Sequence, residues 1–139
     1  MKLRILAFLL LTATTACSES VATPVDAAIG GYMLTAVNGK PLPATVTASG
    51  DIISSTAVTG SIFLDKNGTY TGITEFRIVR AAATTIEPYN VPDGVWQRKS
   101  NTELTLLPNS GTDTNVRVFL AGDLLTYSAR GLTYQYTRR

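Results

Sequence analysis

The sequence predicts an all-β protein: a single antiparallel meander closing into a small barrel of about eight to ten strands. Three observations predict it. Short runs rich in Val, Ile, Thr, Tyr and Phe are separated by clusters of Gly, Asn, Asp and Pro over most of the 139 residues. Period-two alternation is plainest near the end, where Leu132, Tyr134 and Tyr136 alternate with Thr133, Gln135 and Thr137. No long stretch after residue 30 carries the 3.6-residue period of an amphipathic helix. Closure is expected because a meander otherwise leaves two unpaired edges open to other chains.

The chain opens with Lys2 and Arg4, an apolar run from Ile5 to Leu11 and a small-residue stretch ending at Ala16. That is the three-part layout of a signal peptide, too short in its apolar part for a permanent membrane span. Residues 1–16 are therefore expected to be cleaved. Thr14-Thr15-Ala16-Cys17 resembles the bacterial lipobox, which implies acylation of Cys17, the single cysteine of the chain, and anchoring to a membrane by lipid. Ser18 after the cysteine points to the outer membrane, facing the periplasm; a secreted soluble product of an ordinary cut after Ala16 is the alternative. Residues 17–29 show no sustained period and read as a flexible tether. Residues 30–139 are the size of one domain.

Without Lys2 and Arg4, the basic and acidic residues balance at ten each. Nucleic-acid binding draws on clustered Lys and Arg. Here Arg77 and Arg80, Arg98 and Lys99, and Arg138 and Arg139 are scattered pairs, so no nucleic-acid partner is expected. One cysteine allows no disulfide within the chain, which leaves packing to supply the stability.

The first strand is expected over residues 31–37, ended by Asn38-Gly39-Lys40-Pro41, where Asn-Gly supplies positive φ and Pro41 cannot continue a ladder. Strands over 44–49, 52–56 and 57–65 follow. Lys66-Asn67-Gly68 is the turn of the clearest hairpin, into a strand from 69 to 79. On that strand Tyr70, Gly72, Thr74, Phe76 and Ile78 share one face, while Glu75 and Arg77 fall on the other, which makes the Tyr70 and Phe76 side the core side. Residues 81–93, with Pro88 and Pro92, read as the longest loop. Strands over 94–99, 102–107, 115–121, 124–130 and 132–137 complete the order.

Gly30-Gly31-Tyr32-Met33-Leu34, Val37-Asn38-Gly39-Lys40-Pro41-Leu42-Pro43, Asp65-Lys66-Asn67-Gly68-Thr69-Tyr70, Gly94-Val95-Trp96, Leu104-Thr105-Leu106 and Tyr134-Gln135-Tyr136 together resemble the lipocalin-like domain of small bacterial lipoproteins. The resemblance covers nearly all of residues 30–139. It implies a barrel and a binding role and names no reaction. In lipocalins Gly-x-Trp opens the first strand and the Trp closes one end of the barrel; here Tyr32 stands in that place, and no flanking helix is evident after Tyr136.

The chain has no histidine, which removes Ser-His-Asp and Cys-His nucleophiles and histidine metal sites. No serine stands three residues before a lysine. Asp65-Lys66-Asn67-Gly68 lacks the ligand spacing of a calcium loop and reads as a turn. Nothing selects a catalytic pair among Glu75, Glu87, Asp93 and Glu103. No enzyme activity, cofactor or metal is expected.

Tyr32, Tyr70, Phe76, Trp96, Tyr127, Tyr134 and Tyr136 are all expected to point inward, where they either fill the barrel or line an apolar pocket with phenol hydroxyls. The expected function is a lipid-anchored cell-envelope binding module taking a small apolar ligand, with Trp96, Tyr134, Tyr136, Tyr70 and Phe76 as the candidate ligand-binding residues. The alternative is a protein-interaction or structural envelope lipoprotein with a filled core, docking to another envelope protein through residues 81–93 or an outer face carrying Phe63, Ile73 and Phe119.

Overall fold

The computed structural model describes residues 26–46, 50–109 and 115–139; residues 1–16, read as a signal peptide, Cys17 and the expected tether up to residue 25 lie outside them. The described residues form ten strands: β1 Gly30–Val37, β2 Lys40–Pro41, β3 Ala44–Val46, β4 Ile52–Leu64, β5 Thr69–Arg80, β6 Thr84–Ser100, β7 Glu103–Pro108, β8 Val116–Ala121, β9 Leu124–Ala129 and β10 Leu132–Arg138. Neighbours pair antiparallel in the order β2-β1-β10-β9-β8-β7-β6-β5-β4-β3. A further ladder of Gly30, Gly31, Tyr32 and Met33 against Leu64, Phe63, Ile62 and Ser61 joins β1 to β4. The result is a closed antiparallel barrel of eight strands, β1 and β4 to β10, with the short β2 and β3 added at its rim.

Alternation decides what faces in. On β5 Tyr70, Thr74 and Ile78 are buried while Thr69, Thr71 and Arg77 are exposed, the parity expected from the two charges. Tyr32, Leu34, Ile62, Leu64, Leu104, Leu106, Val118, Leu125, Tyr127, Tyr134 and Tyr136 form one contiguous core, with Phe76 and Trp96 packed against it. All seven aromatics expected inside are therefore inside or against the core.

Two stretches differ from the sequence reading. The strands expected over 52–56 and 57–65 are one strand, β4, ending at Leu64, with register shifts at Ile53 and Val58. An extra residue at Val58 exchanges the faces: Ser55 and Ala57 are buried before the bulge, Ile62 and Leu64 after it. Period two is broken there in the sequence although the strand continues. Residues 81–93 are not a loop, since all but the Ala81-Ala82-Ala83 turn lie in β6. Pro88 stands opposite Glu75 on β5. It is tolerated because β7 pairs only with the later part of β6, from Gly94 to Ser100, so the other edge of residues 84–91 has no paired strand among the described residues. Pro92 sits in the register shift between Val91 and Gly94, where a missing N–H breaks no ladder.

One end of the barrel is sealed. Residues 26–29 lie across it ahead of β1, with Ala28 fully buried. The Tyr32 hydroxyl donates to the Ala28 carbonyl at 2.9 Å and accepts from Arg138 Nη2 at 2.6 Å. The Arg138 guanidinium lies 4.9 Å from the centre of the Tyr32 ring and donates to the carbonyls of Ile29, at 2.8 Å, and Ala27. Arg98 Nε donates to Asp26 Oδ2 at 2.6 Å, and its Nη2 pairs with Oδ1. Asp26 Oδ1 also accepts the Ala28 N–H at 2.8 Å. Tyr32 thus lies at the sealed end, with two arginines holding the segment in place.

Gly94 is where β6 comes closest to its neighbours. A Cβ there would lie 2.1 Å from the Leu107 carbonyl oxygen and 2.8 Å from the Tyr70 ring. Gly94→Ala is expected to destabilise the fold by about 3 kcal/mol or more, read from urea denaturation, because backbone cannot yield as a side-chain tip does. The Arg98 guanidinium holds the Asp26 carboxyl below its ordinary range. The folded pKa is the lower one, so the stabilisation is present above the unfolded value of about 3.9 and is lost as pH falls through the folded value. Asp26→Asn is expected to flatten the acid limb of a stability-against-pH profile, leaving wild type and variant alike at the lowest pH.

Candidate functional site

The other end of the barrel, where β10 begins and β7 and β9 end, holds two cavities. The first, of about 380 Å³, is floored by Tyr70, Leu106 and Tyr127 and walled by Val91, Val116 and Ala129. The second, of about 300 Å³, lies between Phe76 and Ile78 of β5, Pro88 of β6, and Leu132 and Tyr134 of β10. Tyr89 and Arg130 line both and stand between them, the guanidinium 4.7 Å from the ring centre.

The first cavity reaches solvent through the barrel wall. The β8–β9 ladder runs from Ala121 and Leu124 to Val118 and Tyr127 and stops. Beyond that point β8 continues against β7 as far as Leu106 and Val116, and β9 against β10 as far as Ala129 and Leu132. Two neighbouring strands thus follow different partners and part. The cavity lining accordingly takes residues from both faces of these strands: Val116, Tyr127 and Ala129 from inside, Arg117, Phe119 and Ser128 from outside.

Arg130 is presented by the β9–β10 hairpin, where Ala129 pairs with Leu132 across a two-residue turn. Arg130 and Gly131 have φ of 52° and 77°. The Asn38-Gly39 turn between β1 and β2 has the same pattern with the residue suited to it, φ of 51° and 74°. A long side chain in this region is uncommon, and left-handed backbone disfavours it by about 1 kcal/mol or more.

Beneath the cavities the tyrosines form a stack. Tyr127 and Tyr134 rings are 5.1 Å apart and Tyr127 and Tyr136 5.8 Å, nearly parallel in both cases. The Tyr136 hydroxyl lies 3.3 Å from that of Tyr127 and 3.3 Å from the hydroxyl of the fully buried Thr74. Burial pushes the Tyr134 phenol up to about 12 and raises those of Tyr127 and Tyr136 as well. These phenols are neutral throughout the ordinary pH range, so the deep wall offers apolar rings and uncharged hydroxyls.

Of the five candidate residues, Tyr134 and Phe76 line the second cavity and Tyr70 the first. Tyr136 lies beneath, fully buried and tied to Tyr127 and Thr74. Trp96 is at the sealed end, its indole N–H donating to the Asp65 carbonyl at 2.9 Å, and lines neither cavity. Sequence reasoning missed Tyr89 and Arg130. Tyr89 fell in the stretch read as a loop; the signal for Arg130 was an Arg-Gly pair at a hairpin tip where Asn-Gly is the expected pair.

Compared with known proteins, the chain matches no family model, no curated protein and no solved structure. Two carboxylates close to lining residues are engaged by arginines. Glu87 accepts from Arg80 at 2.6 Å and from Thr85 at 2.9 Å, and Glu103 pairs with Arg117 at 2.8 Å. In the Asp65 turn, Oδ1 of Asp65 accepts the Asn67 N–H and Oδ1 of Asn67 accepts from Thr69, so both side chains serve the turn itself.

Two outcomes follow from the tyrosine stack. Tyr136→Phe leaves the buried Thr74 hydroxyl without this partner and is expected to lower stability by about 1–2 kcal/mol in denaturant titrations. The phenol pKa values are raised in the folded state, so their contribution is intact below the unfolded value of about 10 and declines above it. Tm measured across the alkaline range is expected to fall from about pH 10 upward, more steeply than for a Tyr134→Phe variant.

Proposed function

We propose that the protein is a lipocalin-like binding module of the bacterial cell envelope, anchored through lipid on Cys17 after removal of residues 1–16, whose barrel takes up one small apolar molecule. The observation that carries this reading is the first cavity: about 380 Å³, within the range of small-molecule sites, lined by aromatic and aliphatic side chains with a few hydroxyls, and reached from solvent between β8 and β9. The closed eight-strand antiparallel barrel, sealed at one end beside Tyr32, supports the lipocalin-like reading. A binding role rather than catalysis is favoured because the chain has no histidine and Glu87, the carboxylate lining the second cavity among the described residues, is held by Arg80.

The protein-docking reading has less support. Phe63 and Ile73 lie on the adjacent strands β4 and β5, but Phe119 is on β8, four places round an eight-strand wall from β4. They do not make one patch of the kind that marks an interface.

Native mass spectrometry of the full chain purified gently from its own host is expected to show a stoichiometric small molecule that is lost on denaturation. Ala129→Trp, which fills the first cavity from β9, is expected to leave a folded but empty protein. A wild-type protein that is empty and takes up no apolar compound offered to it would overturn the reading. The intact mass also tests the anchor: a chain starting at Cys17 and carrying acyl groups is expected, with Cys17→Ser moving the protein out of the membrane fraction.

A further inference from the structure

The cavities differ from a plain apolar pocket in their charge. Among the described residues the first has two guanidiniums in its lining, Arg117 and Arg130, and no carboxylate. Arg117 is already paired with Glu103 at 2.8 Å. Arg130 has no ion pair among the described residues; it lies over the face of Tyr89 at the partition between the two cavities. The second cavity has one carboxylate, Glu87, which Arg80 engages at 2.6 Å. Among the described residues a single cation without a carboxylate partner therefore stands at the mouth of a site whose deep wall is apolar and whose buried phenols are neutral. Its backbone holds φ at 52° in a turn where Asn would be favoured, and local strain of this kind is found where a side chain is needed in place.

We propose that the ligand is a compact monoanion: an apolar body seated against Val91, Leu106 and Tyr127, with one carboxylate at the Arg130 guanidinium. This deepens the binding reading above and rests on it. Arg130 has the planar fork that meets a carboxylate through two N–H donors, and Tyr89 beneath it limits the positions the guanidinium takes. The parted β8 and β9 leave the acid group next to solvent while the body is enclosed, so the charge need not be fully desolvated. A neutral ligand of the same shape would gain nothing from Arg130, and a cationic one would be repelled.

The test is calorimetric titration of the full chain with three probes of matched size, 4-phenylbutyrate, 4-phenylbutanol and 4-phenylbutylammonium. The acid is expected to bind about fivefold or more tightly than the alcohol, the gain of one partly exposed ion pair, with the ammonium weakest and the preference falling as salt is raised. Arg130→Asn removes the guanidinium and suits the turn, so it is expected to keep or raise Tm and to bring the acid down to the alcohol's affinity. Arg77→Gln, on the outer face of β5, is expected to retain the preference. Equal binding of acid and alcohol by the wild type, or a preference that survives Arg130→Asn, overturns the acid assignment and leaves the cavity reading standing. Binding of none of the three overturns both.

Discussion

The ladder between Gly30–Met33 and Ser61–Leu64 is the constraint on which the rest of this structure depends. Without it the ten strands would form an open, twisted sheet with one face of tyrosines and leucines in water. With it, one face becomes an interior, and side chains that alternate along eight strands meet across a common centre. Gly31 stands opposite Phe63 on this ladder, and the segment that seals the end, residues 26–29, runs directly into it. Closure and sealing are thus produced by one stretch of chain.

The barrel is built unevenly, and its cavities follow from the unevenness. At the sealed end Arg98 and Arg138 spend their charge on Asp26, on backbone carbonyls and on the Tyr32 hydroxyl. At the other end β4, β5 and β6 run on past the barrel, β8 and β9 separate, and the interior is left partly unfilled. Interiors pack densely when every strand continues to its neighbour; here two strands take leave of each other and the space between them becomes the cavity.

Much of this was legible in the sequence because it rests on period two. The inward side of β5 followed from where Glu75 and Arg77 fall, and the tyrosines of β10 from their spacing. The barrel class followed from strand number and order. What was not legible depends on breaks in that period or on pairing partners. Val58 hides the continuity of β4, since a bulge looks like the end of a strand. Pro88 argues for a loop unless one knows that β7 stops at Pro108 and leaves that side of β6 without a paired strand among the described residues, and Pro92 unless one knows that it falls in a register shift. Tyr134, Phe76 and Tyr70 reach the cavities, but a sequence cannot say which of several inward aromatics border a void and which, like Tyr136 and Trp96, are packed away from it. Arg130 carried a local signal, a residue out of character for its turn, that alternation does not register.

The edge of β6 that has no paired strand among the described residues has a consequence for the chain among its own copies. Residues 84–91 offer a row of backbone groups to any extended segment, and the exposed Ile86 adds an apolar side chain to the invitation. A strand of this kind is a seed for sheet growth from one molecule to the next. Pro88 interrupts the row of N–H donors, and the charges of Arg80 and Glu87 sit beside it. Residues that look like helix and strand breakers in the sequence break nothing within the molecule; their effect is to keep one molecule from continuing into another.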